Sequence, residues 1–445
     1  MRKILSFFGI DRAVAYTLLG RVWNIFAGLI TLIFVARFFS VEQQGFYYTF
    51  VSILAIQMIF ELGLSYVIVQ YASHEKAKLS WDKRGILEGN PDSKAKLYSL
   101  FRFSLFWYGA MAIVFLLVLL PAGILFFSKY AGQGSLVAWR AEWCWFAFFS
   151  TLNLLVIPVV AILEGCGLVA DVALMRLGQY IFSSLLAWLA FYLGMGLFVL
   201  TVLNASRFIW GAIWLLGKRW FFLKDFISAP YIAGIINWKN EIWPFQWKIA
   251  LTWISGYFIY QLFNPVLFAY HGAVVAGQMG MSLTIASALS TTALAWISTK
   301  TPFWGMMVAN RDFNKLDKAF FISLRHSLVF IIISGALIWI SALYLHAVVH
   351  PLSSRIIGPL PFGLLILATI INHVSFSEAL YLRAHKKEPF FIIFVINACL
   401  IGLAAFVLGK PYGVMGMVGG YFLSSLGLFF AANVIFSKKR KEWHF

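Results

Sequence analysis

Twelve runs of about 20 mostly apolar residues, the length that crosses a bilayer as a helix, begin near residues 13, 45, 103, 143, 172, 197, 249, 278, 327, 362, 389 and 416. A chain patterned this way folds in the membrane, where each run must satisfy its own backbone as a helix. With 62% hydrophobic and 12% charged residues the composition agrees. The expected class is an all-α polytopic membrane protein.

The formal net charge of +18 would suit nucleic acid, but its placement follows membrane topology instead. With the N-terminus in the cytoplasm, 27 of the 35 Lys and Arg fall on that side, among them seven after segment 2, Arg176 alone between segments 4 and 5, and the tail Lys438-Lys439-Arg440-Lys441. Five fall opposite, namely Arg37, Lys129, Arg140, Arg355 and Lys410, and three lie inside segments, namely Arg21, Arg207 and Lys300. This positive-inside pattern puts both termini in the cytoplasm. The N-terminus shows no cleavage site of a signal peptide. Cys144, Cys166 and Cys399 are too widely separated for a metal centre or a disulfide framework.

Between segments 1 and 2 stands a polar joint, Ala36-Arg37-Phe38-Phe39-Ser40-Val41-Glu42-Gln43-Gln44-Gly45-Phe46-Tyr47, which reads as the tip of a transmembrane hairpin. A cruder echo, Tyr270-His271-Gly272-Ala273-Val274-Val275-Ala276-Gly277, matches Gly277 to Gly45. A second pair of markers, Lys96-Leu97 through Ser104-Leu105 and Lys315-Leu316 through Ser323-Leu324, both read K-L-x3-F-x2-S-L. Two markers in one order indicate a duplicated chain of six segments plus six, and an even number per half makes the repeats parallel. The halves divide into an N-terminal lobe over 1–216, a basic cytoplasmic linker over 217–248 and a C-terminal lobe over 249–445. The basic loop 72–102 is expected to carry an amphipathic helix on the membrane surface.

Segment 1 sets Thr17, Arg21, Asn24, Gly28 and Thr31 on one stripe, which lipid cannot face. Counting equally from the hairpin tip puts Arg21 level with Glu61, so the two are expected to pair. Segment 6 carries Asn204 and Arg207 three apart, and segment 7 aligns Gln261 with Asn264. Thr284, Ser287, Thr291 and Ser298 share a face of segment 8, as close packing or a cavity that hydrogen-bonds sugar would require. Lys300 lies opposite that face near the cytoplasmic end, where snorkelling explains it.

The string at 36–47, followed by Glu61-Leu62-Gly63-Leu64-Ser65 and, in the second half, by Thr301-Pro302 and Asn310-Arg311-Asp312, resembles Wzx-type polysaccharide flippases, in the superfamily shared with multidrug exporters and lipid II flippases. The resemblance spans the chain. It implies twelve helices in two pseudosymmetric six-helix lobes around a central cavity. It also implies a bacterial inner-membrane protein that moves a polyprenyl-pyrophosphate-linked oligosaccharide to the outer leaflet by alternating access, for O-antigen or exopolysaccharide assembly. Implied partners are membrane lipid and a polysaccharide polymerase with its chain-length machinery. Action as a monomer is expected, with no cofactor, and with H+ or Na+ both open as the coupling ion.

A charge at mid-membrane costs at least about 2.5–3.5 kcal/mol, so such residues face a cavity or a partner. Arginine suits a diphosphate because its planar fork binds oxygens in pairs while staying charged. The substrate cavity is therefore expected to hold Arg21 with Asn24, Arg207 with Asn204, and Gln261 with Asn264. Glu61 is expected to gate or couple, and Lys300 is a weaker candidate. A multidrug cation exporter would need an anionic cavity, and a polymerase or glycosyltransferase would need catalytic groups on outer loops that are short here.

Overall fold

The computed structural model describes residues 12–132, 136–229, 243–385 and 387–444. The first eleven residues, where the absence of a cleavage site was expected, lie outside them, as do 230–242 of the expected linker.

Helices dominate. The first half runs through α1 (Arg12–Phe38), a broken second passage of α2 (Val41–Leu54), α3 (Gln57–Glu61) and α4 (Leu64–Lys76), then α5 (Pro91–Tyr130), α6 (Arg140–Gly165), α7 (Val169–Tyr192), α8 (Phe198–Lys218) and the short α9 (Trp220–Ser228). The second half follows with α10 (Trp243–Tyr260) and α11 (Phe263–His271), α12 (Ala273–Ser298) and α13 (Thr301–Ala309), α14 (Phe313–Ala347), α15 (Pro359–Arg383), α16 (Phe391–Val407) and α17 (Gly409–His444). Among the described residues, ten passages are long and apolar enough to cross a membrane. Those ten, the apolar α16 and the α10–α11 pair make twelve, six in each half, and the chain is a multi-pass membrane protein.

Local chemistry sets the helix boundaries. Ser40 and Gln43 form a reciprocal capping box at the start of α2: the Gln43 amide donates to Ser40 Oγ at 3.0 Å and the Ser40 amide to Gln43 Oε1 at 2.9 Å. The polar joint is therefore a helix start as well as a hairpin tip. Asn90 caps α5 with its side chain alone, its Oδ1 accepting from the amides of Asp92 at 2.9 Å and Ser93 at 3.1 Å, with Pro91 opening the helix. The second passage breaks where Leu62 and Gly63 both take left-handed conformations, at φ 51° and 65°.

The loop after α4 corrects one expectation. In place of an amphipathic surface helix it makes an antiparallel hairpin, β1 (Leu79–Trp81) with β2 (Leu87–Gly89), pairing Leu79 with Gly89 and Trp81 with Leu87. Asp82 closes the turn, its Oδ1 accepting from the amides of Arg84 and Ile86, and Trp81 Nε1 donates to the Cys166 carbonyl at 2.9 Å.

The chain forms two compact units. Among the described residues, the first takes those up to 38, then 54–129 and 136–254; the second takes those in 39–53, 130–135 and 255–445. The stretch 39–53, expected with the N-terminal lobe, thus groups with the second unit. The reason is close backbone packing. A Cβ on Gly45 would lie 1.9 Å from the Ala273 carbonyl oxygen, and one on Gly277 would lie 2.8 Å from the Gly45 nitrogen, so the two marker glycines touch. Gln44 donates to the carbonyls of Gly277 at 2.8 Å and Arg355 at 2.9 Å, and Arg355 donates to Gln44 Oε1 and the Phe39 carbonyl.

The other marker pair anchors a core in each unit. Leu97, Phe101 and Ser104 are buried in the first unit, where Phe101 meets Phe222 and Phe226 edge-on. Leu316, Phe320 and Ser323 are buried in the second, where Phe320 packs on Trp304, Tyr381 and Phe436. Lipid tails are as apolar as leucine, so these contacts hold by fit and hydrogen bonding more than by escape from water.

Candidate functional site

Each unit contains a cavity among its own helices. In the first unit a cavity of about 780 Å³ is bounded by α3, α4, α6, α7 and α8 and is lined by Glu61, Asn153, Glu164, Arg176, Gln179, Asn204 and Arg207, with Ser65, Ser150, Tyr66 and Tyr180.

Hydrogen bonds between helices fix its walls. Asn204, buried, donates through Nδ2 to Ser150 Oγ at 2.7 Å, while Asn153 Nδ2 donates to the Asn204 carbonyl at 2.9 Å, joining α6 to α8. Gln179 Nε2 donates to the Arg207 carbonyl at 2.8 Å, joining α7 to α8. Glu164 in the last turn of α6 and Arg176 in the second turn of α7 form an ion pair at 2.8 Å with a second contact at 3.4 Å. Glu61 Oε1 accepts from Ser65 Oγ at 2.6 Å and Tyr108 hydroxyl at 3.4 Å. The cavity therefore holds two arginines and two carboxylates.

This geometry corrects several expectations. Arg21 and Glu61 do not pair. Glu61 bonds Ser65 and Tyr108, and Arg21 forms no ion pair among the described residues. The reason is the neighbour of α1, which is α7 rather than the second passage. Trp23 Nε1 donates to Ser184 Oγ at 3.0 Å and Trp188 Nε1 to Thr31 Oγ1 at 3.0 Å, with Phe34 stacked on Trp188. Gly20, Ala27 and Val35 are buried, so the packed face is small and aromatic, and Arg21 and Asn24 are exposed. Neither lines the cavity of the first unit. Asn204 and Arg207 both line that cavity, with the Asn204 Nδ2 held by Ser150. Lys300 stands in the turn between α12 and α13, exposed, donating to Ser323 Oγ at 2.9 Å, and lines neither cavity.

Glu164 was missed because the sequence reads as a turn there, whereas α6 runs on to Gly165, and Arg176 was missed because, near the cytoplasmic start of its run, it counts among the cytoplasmic cations, whereas α7 already carries it. Glu378, near the end of an apolar run, is only 3% exposed on α15.

The second unit has a cavity of about 590 Å³ that includes both Gln261 and Asn264. Around them stand Tyr48, Ser52, Thr284, Ser287, Ser290, Thr291, Thr369, Asn372, Phe376 and Tyr421. Asn264 Nδ2 donates to Ser52 Oγ at 2.9 Å, and Asn372 Nδ2 donates to the Tyr421 hydroxyl and Ser425 Oγ, each at 2.9 Å. Of the hydroxyl face read on segment 8, Thr284, Ser287 and Thr291 line this cavity and Ser298 does not. Among the described residues no charged one lines it.

No protein-family model and no curated protein sequence matches the chain. Solved structures do. A multidrug resistance transporter of the MATE family, of the MOP superfamily, in its inward-facing conformation superposes with a TM-score of 0.60 at 15% identity, over 97% of this chain and 98% of its own. The MATE multidrug transporter DinF-BH gives 0.62 at 12% identity over 98% and 96%. The lipid II flippase MurJ, in an inward closed conformation, gives 0.63 at 14% identity over 96% and 87%. Across its length, then, this chain has the fold of MOP superfamily transporters.

Proposed function

We propose that the protein is a flippase that carries a polyprenyl-pyrophosphate-linked oligosaccharide from the cytoplasmic to the outer leaflet of a bacterial inner membrane by alternating access. The observation that carries this reading is the presence of Arg176 and Arg207 in one cavity among membrane-spanning helices. The fork geometry of a guanidinium suits the paired oxygens of a diphosphate, and Arg176 already holds the two oxygens of Glu164 in that way. Glu164 holds Arg176 in place until that anion competes for it. Arg21 and Asn24, exposed on α1 at spanning depth, are a further contact for the headgroup, since an unpaired arginine there must face water or cargo. A MOP-fold protein described as a lipid II flippase supports a lipid-linked cargo. The positive-inside distribution of Lys and Arg supports cytoplasmic termini, and the cargo's product would feed polysaccharide assembly.

Glu61 and Glu164 favour one competing reading, the export of a multidrug cation, because they line the same cavity. Cells carrying only variant protein separate the two. In Arg207→Ala and Arg176→Ala cells, surface polysaccharide falls at least tenfold while the protein still reaches the membrane, and efflux of a lipophilic cation dye is unchanged. Normal polysaccharide in both variants, together with loss of dye efflux in Glu61→Gln cells, would establish the exporter instead.

A further inference from the structure

The cavity of the second unit has a chemistry of its own. Its lining combines hydroxyls, carboxamides and aromatic rings with the aliphatic side chains of Val51, Leu283, Leu294 and Leu365, and among the described residues it includes no Asp, Glu, Lys, Arg or His. Some of the hydroxyls are committed, since Thr284 Oγ1 donates to the Gly280 carbonyl and Thr369 Oγ1 to the Leu365 carbonyl, each at 2.8 Å. Ser287 and Thr291 are exposed, four residues and so about one helical turn apart on α12, and face the cavity. Tyr48 sits in the wall because Gly280 leaves room for it: a Cβ there would meet the Tyr48 ring at 2.3 Å. Tyr421 is held by Asn372 and by an edge-on contact with Phe263.

Each ligand class fits this lining differently. An alkyl chain would pack on the aliphatic residues but would cover the open hydroxyls and the amide of Gln261 without hydrogen-bonding them, which is unfavourable for each group buried so. A cation or carboxylate would lose water and find no counter-charge. A pyranose offers both donors and acceptors around its rim and an apolar C–H face for an aromatic ring. At about 590 Å³ the cavity is in the usual range for small-molecule sites, about 300–1,000 Å³.

We infer that this cavity seats an uncharged sugar ring, with Gln261, Ser287 and Thr291 hydrogen-bonding its hydroxyls and Tyr48 and Tyr421 bounding its C–H face. That the sugar belongs to a lipid-linked cargo rests on the flippase reading; the preference for an uncharged ring does not.

The test uses the full-length protein in lipid nanodiscs, which avoids sugar-headed detergents. Saturation-transfer NMR is recorded with methyl glucoside, galactoside, mannoside and N-acetylglucosaminide, and with methyl glucuronate and glucosamine as charged comparisons. At least one neutral glycoside should show transfer, the charged sugars should not, and Ser287→Ala/Thr291→Val should lower the signal at least fivefold. Gln261→Leu, read in the same way, guards against a double variant that fails to fold. No transfer to any neutral glycoside, equal transfer to the charged ones, or full signal in both variants overturns the proposal. Binding of undecaprenyl diphosphate, which bears no sugar, is measured in parallel with Arg176→Ala and Arg207→Ala. Glycoside binding without diphosphate binding leaves the sugar site standing and sinks the flippase reading. Diphosphate binding without glycoside binding sinks the sugar site alone.

Discussion

An arginine inside a membrane protein is informative because its charge must be answered locally. Arg176 and Arg207 are answered in one cavity, whereas Lys300 reaches Ser323 from an exposed turn. Lys300→Ala should therefore leave transport within a factor of two of wild type, in the same assay where Arg207→Ala loses at least tenfold. Arg21 and Glu61 have no contact to lose, so the effects of Arg21→Ala and Glu61→Ala should add within about 0.3–0.5 kcal/mol in the double variant, as judged by transport rates. A double variant milder than either single would restore the pair. Arg207, Asn204 and Glu61 were legible in the sequence because a polar residue deep in an apolar run stands out. Arg176 was not, because a cation near the cytoplasmic start of a run is explained equally well by the positive-inside distribution. The partner of Glu61 was not legible either. Equal counting from the hairpin tip gives depth, but it does not say which helix is the neighbour.

Among the elements, the broken second passage is the most exposed to test. Gly63 has φ 65° directly after Leu62 at φ 51°, and Gly63→Ala should cost about 1–2 kcal/mol through left-handed strain, read as a lower unfolding temperature in nanodiscs. The passages themselves were legible from apolar length alone. The hairpin β1–β2 was not, because three-residue strands around an Asp82 turn are too short for a periodic signal and the lysines suggested a surface helix. A second element-scale prediction concerns the tail. His385, between α15 and α16, stacks with Phe313 and His444, and its Nε2 lies 3.2 Å from His444 Nε2. Burial pushes its pKa below the ordinary imidazole value, opposed by its hydrogen bond with the Tyr381 carbonyl and by Asp317, with His444 and Lys387 acting the same way as burial. The folded form therefore stays neutral where the unfolded form begins to bind a proton, at about pH 6.5. The contact is fully stable above that pH and weakens as pH falls through it. Hydrogen exchange over 440–444, corrected for the intrinsic rate, should quicken between pH 7.5 and 5.5, and no change would show that His385 does not govern the contact.

For the whole molecule, the distribution of Lys and Arg predicts the topology. In a background with Cys144, Cys166 and Cys399 replaced, Ser354→Cys should label in intact cells with a membrane-impermeant maleimide, and Ser80→Cys only after permeabilisation; the reverse would invert the protein. The internal repeat was legible through two markers. What it could not reveal is that Gly45 and Gly277 meet, since matching two positions says nothing of their distance. That meeting also has a consequence in time. Gln44 takes its backbone partners from positions 233 and 311 residues further along. At about 5–20 residues per second of synthesis, they leave the ribosome roughly 10–60 s after Gln44 itself. Helix α2 thus enters the bilayer early and finds its place late. A nascent chain halted before residue 277 should exchange the amide hydrogens of α2 faster than the whole protein does, although α1 and α5 to α8 are already complete.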